Sequence, residues 1–353
     1  MFMKYNLILL ILFIIIVLLF LTPISNKDNY ISSSSKTYSF DSILDYNVYF
    51  ILENDLNSIY DQEIQDLIIN SKNNIYCSIY NITLESISSE LIKKKQEGLD
   101  IKIITDLKQS SNRNSVIGVL KSNDILVYTN LDPNKTMHNK FCVFDNTKVL
   151  FGSANFTYNS LYKNNNNFLV INNKEVNEIF TNQFNLFLNN SYATNINYSK
   201  RSLYEFYFCN SKTSVCKNKI IDLFKNSNKS VKCMSYSLTN NDVYLEIKEL
   251  LDLNKDFELK FITEKRQNSK YSLYSKICNL SKNENKNFII FDRNPNSMHN
   301  KFCVFDNNVL LTGSANITNN GLTNNYESIL ITKDQNLIEY YDLYFEKYFN
   351  MWK

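Results

Sequence analysis

The chain has 353 residues, of which 44% are hydrophobic and 21% are charged, as in ordinary globular proteins. This length allows two to three domains and a large buried core. The formal net charge is only +3, which excludes a strong whole-chain field that would draw nucleic acid or an anionic surface.

The first predicted element is an N-terminal membrane segment. Leu7 to Leu21 form an uninterrupted apolar run, which with its neighbours just reaches the length that a helix needs to span a bilayer. Lys4 precedes this run and Pro23 ends it. We expect residues 1–24 to be a single-pass anchor, with a cleaved signal peptide as the alternative, and residues 25–45 to be a Ser-rich linker. The charge pattern favours a body outside the cytoplasm, tethered or secreted after cleavage.

The remainder of the chain is an internal repeat. Residues 137–146 and 298–307 are both Met-His-Asn-Lys-Phe-Cys-Val-Phe-Asp-Asn, and each copy is followed at the same distance by Gly-Ser-Ala-Asn. The repeat is much longer than the units of solenoid proteins, so it predicts two duplicated half-domains. We place them at residues 46–199 and 200–353 and expect them to pack as a pseudo-dimer.

Strands and helices alternate in both halves, which indicates a layered α/β fold. The first half has a predicted helix over 61–72, a strand over 75–83, a helix over 84–96 and a strand over 101–105. The second half has the counterparts 218–229, 231–239, 243–253 and 259–263.

The repeated motif predicts a β-hairpin in each half. Residues 140–145 alternate between two faces, and residues 148–152 form a second, antiparallel strand after the turn at Asn146 and Thr147. This hairpin delivers Ser153 and Asn155 beside His138 and Lys140. The second copy turns at residues 307 and 308 and delivers its own residues in the same way, namely Ser314 and Asn316 beside His299 and Lys301.

The seven cysteines fall into three groups. Four are repeat equivalents within strands, and we interpret them as small buried apolar residues, namely Cys77, Cys142, Cys233 and Cys303. Cys209 and Cys216 flank a short polar loop and are a candidate local disulfide if the body faces an oxidising compartment. Only Cys278 is left over, so the sequence predicts no structural zinc and no other metal site.

The two histidines of the chain, His138 and His299, both lie in the repeated motif. Imidazole can act as a nucleophile or as an acid near neutral pH, so two copies brought together supply one of each. Lys140 and Lys301 add positive charge, and the Ser and Asn residues of the two Gly-Ser-Ala-Asn segments add neutral donors. This set suits the cleavage of a phosphodiester.

His-x-Lys-x4-Asp followed by Gly-Ser-x-Asn, present twice, resembles the phospholipase D superfamily. The resemblance covers both halves and implies a bilobal, pseudo-dimeric α/β fold with one active site shared by the halves. It also implies phosphodiester chemistry without a metal or another cofactor. The catalytic residues would be His138, Lys140 and Asp145 with His299, Lys301 and Asp306, and the phosphate would be bound by Ser153, Asn155, Ser314 and Asn316.

The role of the motif aspartates stays open at this point. The resemblance implies that Asp145 and Asp306 orient imidazole, but Asp145 lies on the strand face opposite to His138. It would therefore orient the imidazole of the other half or stabilise the local fold. Glu327 follows the second Asn motif as a supporting carboxylate, whereas Asn166 stands at the equivalent place in the first half. We predict that His138 is the nucleophile and that His299, supported by Glu327, is the acid.

Three enzymatic functions fit these residues. The favoured one is a membrane-tethered phospholipase D-like hydrolase of phospholipids. The alternatives are a metal-independent nuclease, with nucleic acid as its substrate, and a cardiolipin synthase-like transphosphatidylase. A non-catalytic phosphate-binding pseudoenzyme is the remaining alternative. We expect no cofactor and no obligate protein partner.

Overall fold

A computed structural model describes residues 45–53, 59–130, 132–189, 203–209, 214–280 and 288–353. The predicted anchor lies outside these residues, as does the predicted linker apart from Asp45. Within the described part of the chain, no helix has both the length and the apolar character that crossing a membrane requires.

The first half contains a seven-stranded mixed sheet. Its strands are β1 (Asp45–Ile51), β2 (Asn74–Ile79), β3 (Asp100–Thr105), β4 (Leu126–Thr129), β5 (Lys140–Phe144), β6 (Lys148–Gly152) and β7 (Asn166–Asn172). Their order in the sheet is β1-β7-β6-β5-β2-β3-β4. The helices are α1 (Ile59–Asn70), α2 (Glu85–Gln96), α3 (Leu107–Ser110), α4 (Ile117–Ser122), α5 (Tyr158–Tyr162) and α6 (Lys174–Leu188).

The second half repeats this sheet. Its strands are β8 (Tyr204–Cys209), β9 (Ser230–Ser235), β10 (Glu258–Thr263), β11 (Phe288–Phe291), β12 (Lys301–Phe305), β13 (Val309–Gly313) and β14 (Glu327–Thr332), in the order β11-β10-β9-β12-β13-β14-β8. The helices are α7 (Val215–Lys225), α8 (Asn241–Leu253), α9 (Tyr274–Leu280) and α10 (Gln335–Trp352), with a 3₁₀ turn at Lys265–Gln267 and a π-helical turn at Asn320–Asn324. The predicted duplicated α/β architecture is confirmed.

A shared core of aromatic side chains joins the two halves. Phe180 of α6 packs edge-on against Phe206 and Phe208 of β8, with ring centroids 5.2 Å apart in both pairs. Phe50 of β1 stacks on Tyr344 of α10 at 4.4 Å. Because the same core takes side chains from both sheets and from α6 and α10, neither half can bury its inner face alone.

The motif strand is central in each sheet, and its hairpin forms as predicted. β5 pairs antiparallel with β6 on one side and with β2 on the other. The turn that joins β5 to β6 has positive φ at Asp145 (50°) and Asn146 (56°), a conformation that Asp and Asn tolerate better than most residues. The second copy has the same turn at Asp306 and Asn307.

The interpretation of four cysteines as small apolar residues is wrong. Cys77 on β2 faces Cys142 on β5 and forms a disulfide with it, and Cys233 on β9 forms one with Cys303 on β12. Each pair lies directly opposite across an antiparallel ladder, with Cα atoms 4.1 Å apart, which is where side chains of facing strands come closest. The sequence did not reveal this because the register of β5 on β2 depends on tertiary pairing.

The structure also pairs Cys209 with Cys216, at the end of β8 and in the first turn of α7. This is the local pair that the sequence singled out. All three bonds among the described residues join cysteines of the same half.

We expect the long-range disulfides to contribute more stability than the local one. Replacing Cys77 and Cys142 together by Ala opens a loop of 65 residues and should lower the free energy of unfolding by about 4 kcal/mol on loop-entropy grounds. The matched control is the double Ala variant of Cys209 and Cys216, whose bond spans 7 residues and should contribute about 2 kcal/mol. Denaturant titration measures both, and equal losses would contradict the loop-length argument.

Candidate functional site

Both histidine motifs come together where the two halves meet. The backbone N–H of His138 donates to the carbonyl of Tyr326 at 2.9 Å, and the N–H of His299 donates to the carbonyl of Asn165 at 2.8 Å. The residue ahead of each histidine, Met137 or Met298, makes a parallel bridge with the same segment of the other half. The local backbone at each imidazole is therefore positioned by the opposite half of the chain.

The side chains cross between the halves in the same reciprocal way. Nδ1 of His138 lies 2.7 Å from Oε1 of Glu327, the first residue of β14. Nδ1 of His299 lies 2.8 Å from Oδ1 of Asn166, the first residue of β7. The reason given from sequence for His299 as the acid, that Glu327 supports it, is wrong. Glu327 belongs to the other half's imidazole because each motif histidine reaches across the interface.

The serines of the Gly-Ser-Ala-Asn segments orient these acceptors. The Ser314 hydroxyl donates to Oε2 of Glu327 at 2.6 Å, and the Ser153 hydroxyl donates to Oδ1 of Asn166 at 3.0 Å. Both serine hydroxyls therefore bond to the side chains that accept from the imidazoles, namely Glu327 and Asn166.

The glycine of each segment permits this close arrangement. A Cβ at Gly152 would lie 2.3 Å from the carbonyl oxygen of Asn167, and one at Gly313 would lie 2.3 Å from that of Ser328. Gly313 also has a φ of 151°, which favours glycine. Only glycine lets β7 and β14 approach closely enough to present Asn166 and Glu327.

Two buried lysines lie beside the imidazoles. Lys140 is fully buried and Lys301 is 4% exposed, and each Nζ donates at 2.6 Å to the carbonyl of the histidine two residues earlier. Burial lowers the pKa of Lys140 to about 7, against the opposing effect of Glu327 and Asp106. Burial and the charge of Lys140 also hold the pKa of Lys301 well below its usual range. Burial therefore disfavours two ammonium groups in the free site, and a bound anion would stabilise them.

The ionisation of the imidazoles follows from the same burial. Desolvation, with the nearby charges of Lys140 and Lys301, lowers the pKa of both His138 and His299. Burial raises the pKa of Glu327 to about 8, while Lys140, the Ser314 hydroxyl and Lys301 favour its ionised form. The contact between Nδ1 and Oε1 therefore couples the protonation of His138 to that of Glu327.

A pair of tyrosines completes the lining and was missed from sequence. The ring of Tyr80 meets the imidazole of His138 edge-on at 4.9 Å, and the ring of Tyr236 meets that of His299 at 4.8 Å. The Nζ atoms of Lys140 and Lys301 lie 5.0 and 4.9 Å from the same ring centroids. The signal was present, because the repeat aligns 75–83 with 231–239 and places the two tyrosines in register.

Asp106 and Glu264 are a further pair that sequence reasoning did not assign to the site. Asp106 accepts from the backbone N–H of Met137 at 3.2 Å, and Glu264 accepts from that of Met298 at 2.8 Å. Asp106 directly follows β3 and Glu264 directly follows β10, and each fixes the backbone of the methionine that precedes a motif histidine.

The motif aspartates do not contact the imidazoles. The carboxylate of Asp145 accepts from the backbone N–H groups of residues 72, 73 and 74 at 2.7, 2.7 and 3.2 Å. Asp306 accepts in the same way from residues 228, 229 and 230 at 2.7 to 2.9 Å. They stabilise the turn ahead of β2 and β9, so the structure supports the local-fold alternative over orientation of an imidazole.

Asn155 and Asn316 occupy equivalent positions, each after its serine. Within the described residues, their Oδ1 atoms are buried and have no hydrogen-bond partner. No group of three or more His, Cys, Asp and Glu side chains in the described part of the chain could hold a metal ion. The expectation of metal-independent chemistry stays a prediction.

We expect Asp145→Asn to affect stability rather than chemistry. The amide keeps one acceptor oxygen and tolerates the positive φ, but its NH₂ group would face an N–H donor, at a cost of about 2 kcal/mol in the free energy of unfolding. Denaturant titration measures the loss. Turnover per folded molecule should stay within a few-fold of the parent, and a loss of a hundredfold or more would restore Asp145 to the catalytic set.

Comparison with known proteins agrees with this geometry. A family model described as "Cardiolipin synthase, PLD-like domain" matches residues 64–188 and again 220–349, which is more than half of the chain. The mitochondrial cardiolipin hydrolase of Homo sapiens is 42% identical over 62 residues, covering 18% of this chain and 23% of the relative. The one of Chlamydomonas reinhardtii is 24% identical over 144 residues, covering 40% and 61%. These matches span less than two thirds of the relatives' own length.

A solved structure has the same fold over most of its length. The phosphatidylserine synthase of Haemophilus influenzae Rd KW20 superposes with a TM-score of 0.69, covers 84% of each chain and is 15% identical in sequence. This likeness concerns the fold. With both halves matched by the family model, the chain belongs to the phospholipase D superfamily.

Proposed function

We propose that this chain is a phospholipase D-like phosphodiesterase that hydrolyses a phospholipid through a phosphohistidine on His138. The observation that carries the proposal is the reciprocal support of the two imidazoles. Each has its Nδ1 engaged by an acceptor from the other half, which leaves Nε2 for chemistry beside two buried lysines. One imidazole can attack phosphorus while the other donates a proton.

In the first step Nε2 of His138 forms a bond to phosphorus, and the bond from phosphorus to the leaving oxygen breaks. Protonated His299 gives its Nε2 proton to that oxygen, so the alcohol leaves neutral. In the second step His299 takes a proton from water, the water oxygen bonds to phosphorus, and the bond to His138 breaks. Both imidazoles then return to their starting state.

The two lysines would stabilise the charge that develops on the phosphoryl oxygens. Their ammonium groups lie in a water-poor site, where such an interaction is stronger than in solvent. Asn155 and Asn316, whose Oδ1 atoms have no hydrogen-bond partner among the described residues, would donate from their Nδ2 groups to the same oxygens.

A phospholipid is favoured as substrate by two further observations. The matched relatives are called cardiolipin hydrolases, and a phosphatidylserine synthase shares the fold. The apolar run at Leu7–Leu21 would tether the catalytic body to a membrane as a single-pass anchor.

Three disulfides suit an oxidising compartment, which supports a body outside the cytoplasm.

The substrate class can be tested with the full-length protein in lipid nanodiscs and EDTA. One arm contains labelled cardiolipin or phosphatidylglycerol, a second contains end-labelled single-stranded DNA and RNA, and a third adds glycerol as acceptor. We expect lipid hydrolysis in the first arm. Cleavage of nucleic acid alone would replace the phospholipid with a polynucleotide substrate, and predominant transfer to glycerol would replace hydrolysis with transphosphatidylation.

Replacing either histidine should abolish turnover. His138→Ala removes the nucleophile and His299→Ala removes the proton donor, so each should cost at least a thousandfold in kcat. The control is Lys121→Ala, an exposed lysine of α4, which should have the parental rate. Circular dichroism checks folding. More than a tenth of the parental activity in either histidine variant would contradict the two-imidazole mechanism.

Anion binding should weaken as the pH rises above 7. The pKa of Lys140 is about 7 in the free site, and a bound anion would raise it, so binding takes up a proton between the free and bound pKa values. Sulfate itself does not titrate in this range. Between the free and bound pKa values, its affinity should fall about tenfold per pH unit for each proton that binding takes up. Calorimetry in buffers of different ionisation enthalpy measures this, and a pH-independent affinity would show that the lysines keep their charge without a ligand.

A further inference from the structure

The site is symmetric except for the group that holds each imidazole. Asn166 and Glu327 are the first residues of β7 and β14, both are fully buried, and both accept from Nδ1 of the opposite histidine. Both are also contacted by a serine hydroxyl, Ser153 or Ser314. The two positions have the same geometry and differ in charge.

We propose that Asn166 is a positioning residue that makes the site directional. By holding His299 through a neutral amide, it leaves the carboxylate of Glu327 to favour His138 as the attacking imidazole and makes His299 the proton donor. The inference rests on the proposed phosphodiesterase function and adds a physical reason for the roles assigned there, namely the difference in charge between Asn166 and Glu327.

The orientation of Asn166 is determined by its own contacts. Its Nδ2 donates to the carbonyl of Ser160 at 3.0 Å, so its Oδ1 must face His299 and the Ser153 hydroxyl. An oxygen there can only accept, so His299 carries its proton on Nδ1. Its Nε2 then picks up and releases the second proton, as an acid must.

The difference in charge separates the two roles. When phosphorus bonds to Nε2 of His138, the ring becomes cationic, and the adjacent carboxylate of Glu327 stabilises that cation. A neutral amide gives His299 no such stabilisation, so its imidazolium gives up a proton more readily.

The other groups around the two rings are nearly matched. The charges of Lys140 and Lys301 lower the pKa of both imidazoles, and His138 also lowers the pKa of His299. Tyr80 and Tyr236 face the two rings in the same edge-on geometry. Asp106 and Glu264 hold equivalent backbone groups. The contrast between Asn166 and Glu327 is therefore the asymmetry closest to the chemistry.

Two isosteric substitutions transfer the charge from one position to the other. Asn166→Asp adds a carboxylate beside His299, and Glu327→Gln removes the one beside His138. A rapid quench in base, followed by peptide mapping, locates the phosphohistidine. We expect the label on His138 in the parent, a loss of at least a hundredfold with Glu327→Gln alone, and a shift of the label to His299 in the double variant.

The pH profile provides a readout that a purely structural role would not change. In Asn166→Asp the limb of the kcat profile that reports His299 should move up by about one pH unit, because the new carboxylate favours the charged form of His299. A double variant that still labels only His138, or a limb that does not move, would overturn the inference.

A measurement on the parent protein avoids any dependence on folding of the variants. The chain has two histidines, so selective ¹⁵N-histidine labelling gives two pairs of ring-nitrogen signals, assigned by the loss of one pair in His138→Ala. We expect both rings to carry the proton on Nδ1 in their neutral form and His299 to titrate below His138. The opposite order would refute the role of Asn166. If the parent forms no phosphohistidine but the order holds, the proposed function fails and the asymmetry stands.

Discussion

Each imidazole of the site is held in place by the half of the chain to which it does not belong, and the rest of the arrangement depends on this exchange. Four hydrogen bonds carry it, two from the histidine backbones and two at the ring nitrogens. Since neither ring is oriented without the opposite sheet, the site exists only when the aromatic core between the halves has formed. Catalytic geometry and the packing of the two sheets are thus a single structural property.

The same interface makes the site electrostatically demanding. Two lysines, two imidazoles and one carboxylate lie in a region where charges are poorly solvated, so the site cannot hold all of its positive charge without an anion. Burial of these positive charges is electrostatically unfavourable in the free protein, and a bound phosphoryl group would offset this cost. Burial here favours binding of an anion over stability of the empty fold.

Much of the fold and of the site was predictable, because the two copies of the repeat show the same sequence pattern independently. The duplication and the hairpin that begins in each motif follow from the sequence pattern, and the convergence of the two motifs was implied by the resemblance to the phospholipase D superfamily. The partners of the rings did not follow, because the crossing of Glu327 to His138 depends on how the halves pack. The disulfide from Cys77 to Cys142 escaped for a related reason, since strand register decides it. The role of the motif aspartates stayed open in the sequence, because the strand pattern shows only that Asp145 faces away from His138. The structure shows that its carboxylate binds backbone N–H groups of the turn ahead of β2.

The three disulfides among the described residues each close within one half, so no covalent bond of this kind joins the two sheets. A cut between α6 and β8 would leave two polypeptides, each with its own sheet and its own cross-strand bond. Their association would rest on noncovalent contacts, which include the aromatic core, the exchanged hydrogen bonds and the buried amide pair of Asn167 and Asn300. Such a split chain would make turnover a direct measure of how tightly the halves bind each other, with dilution acting as a switch.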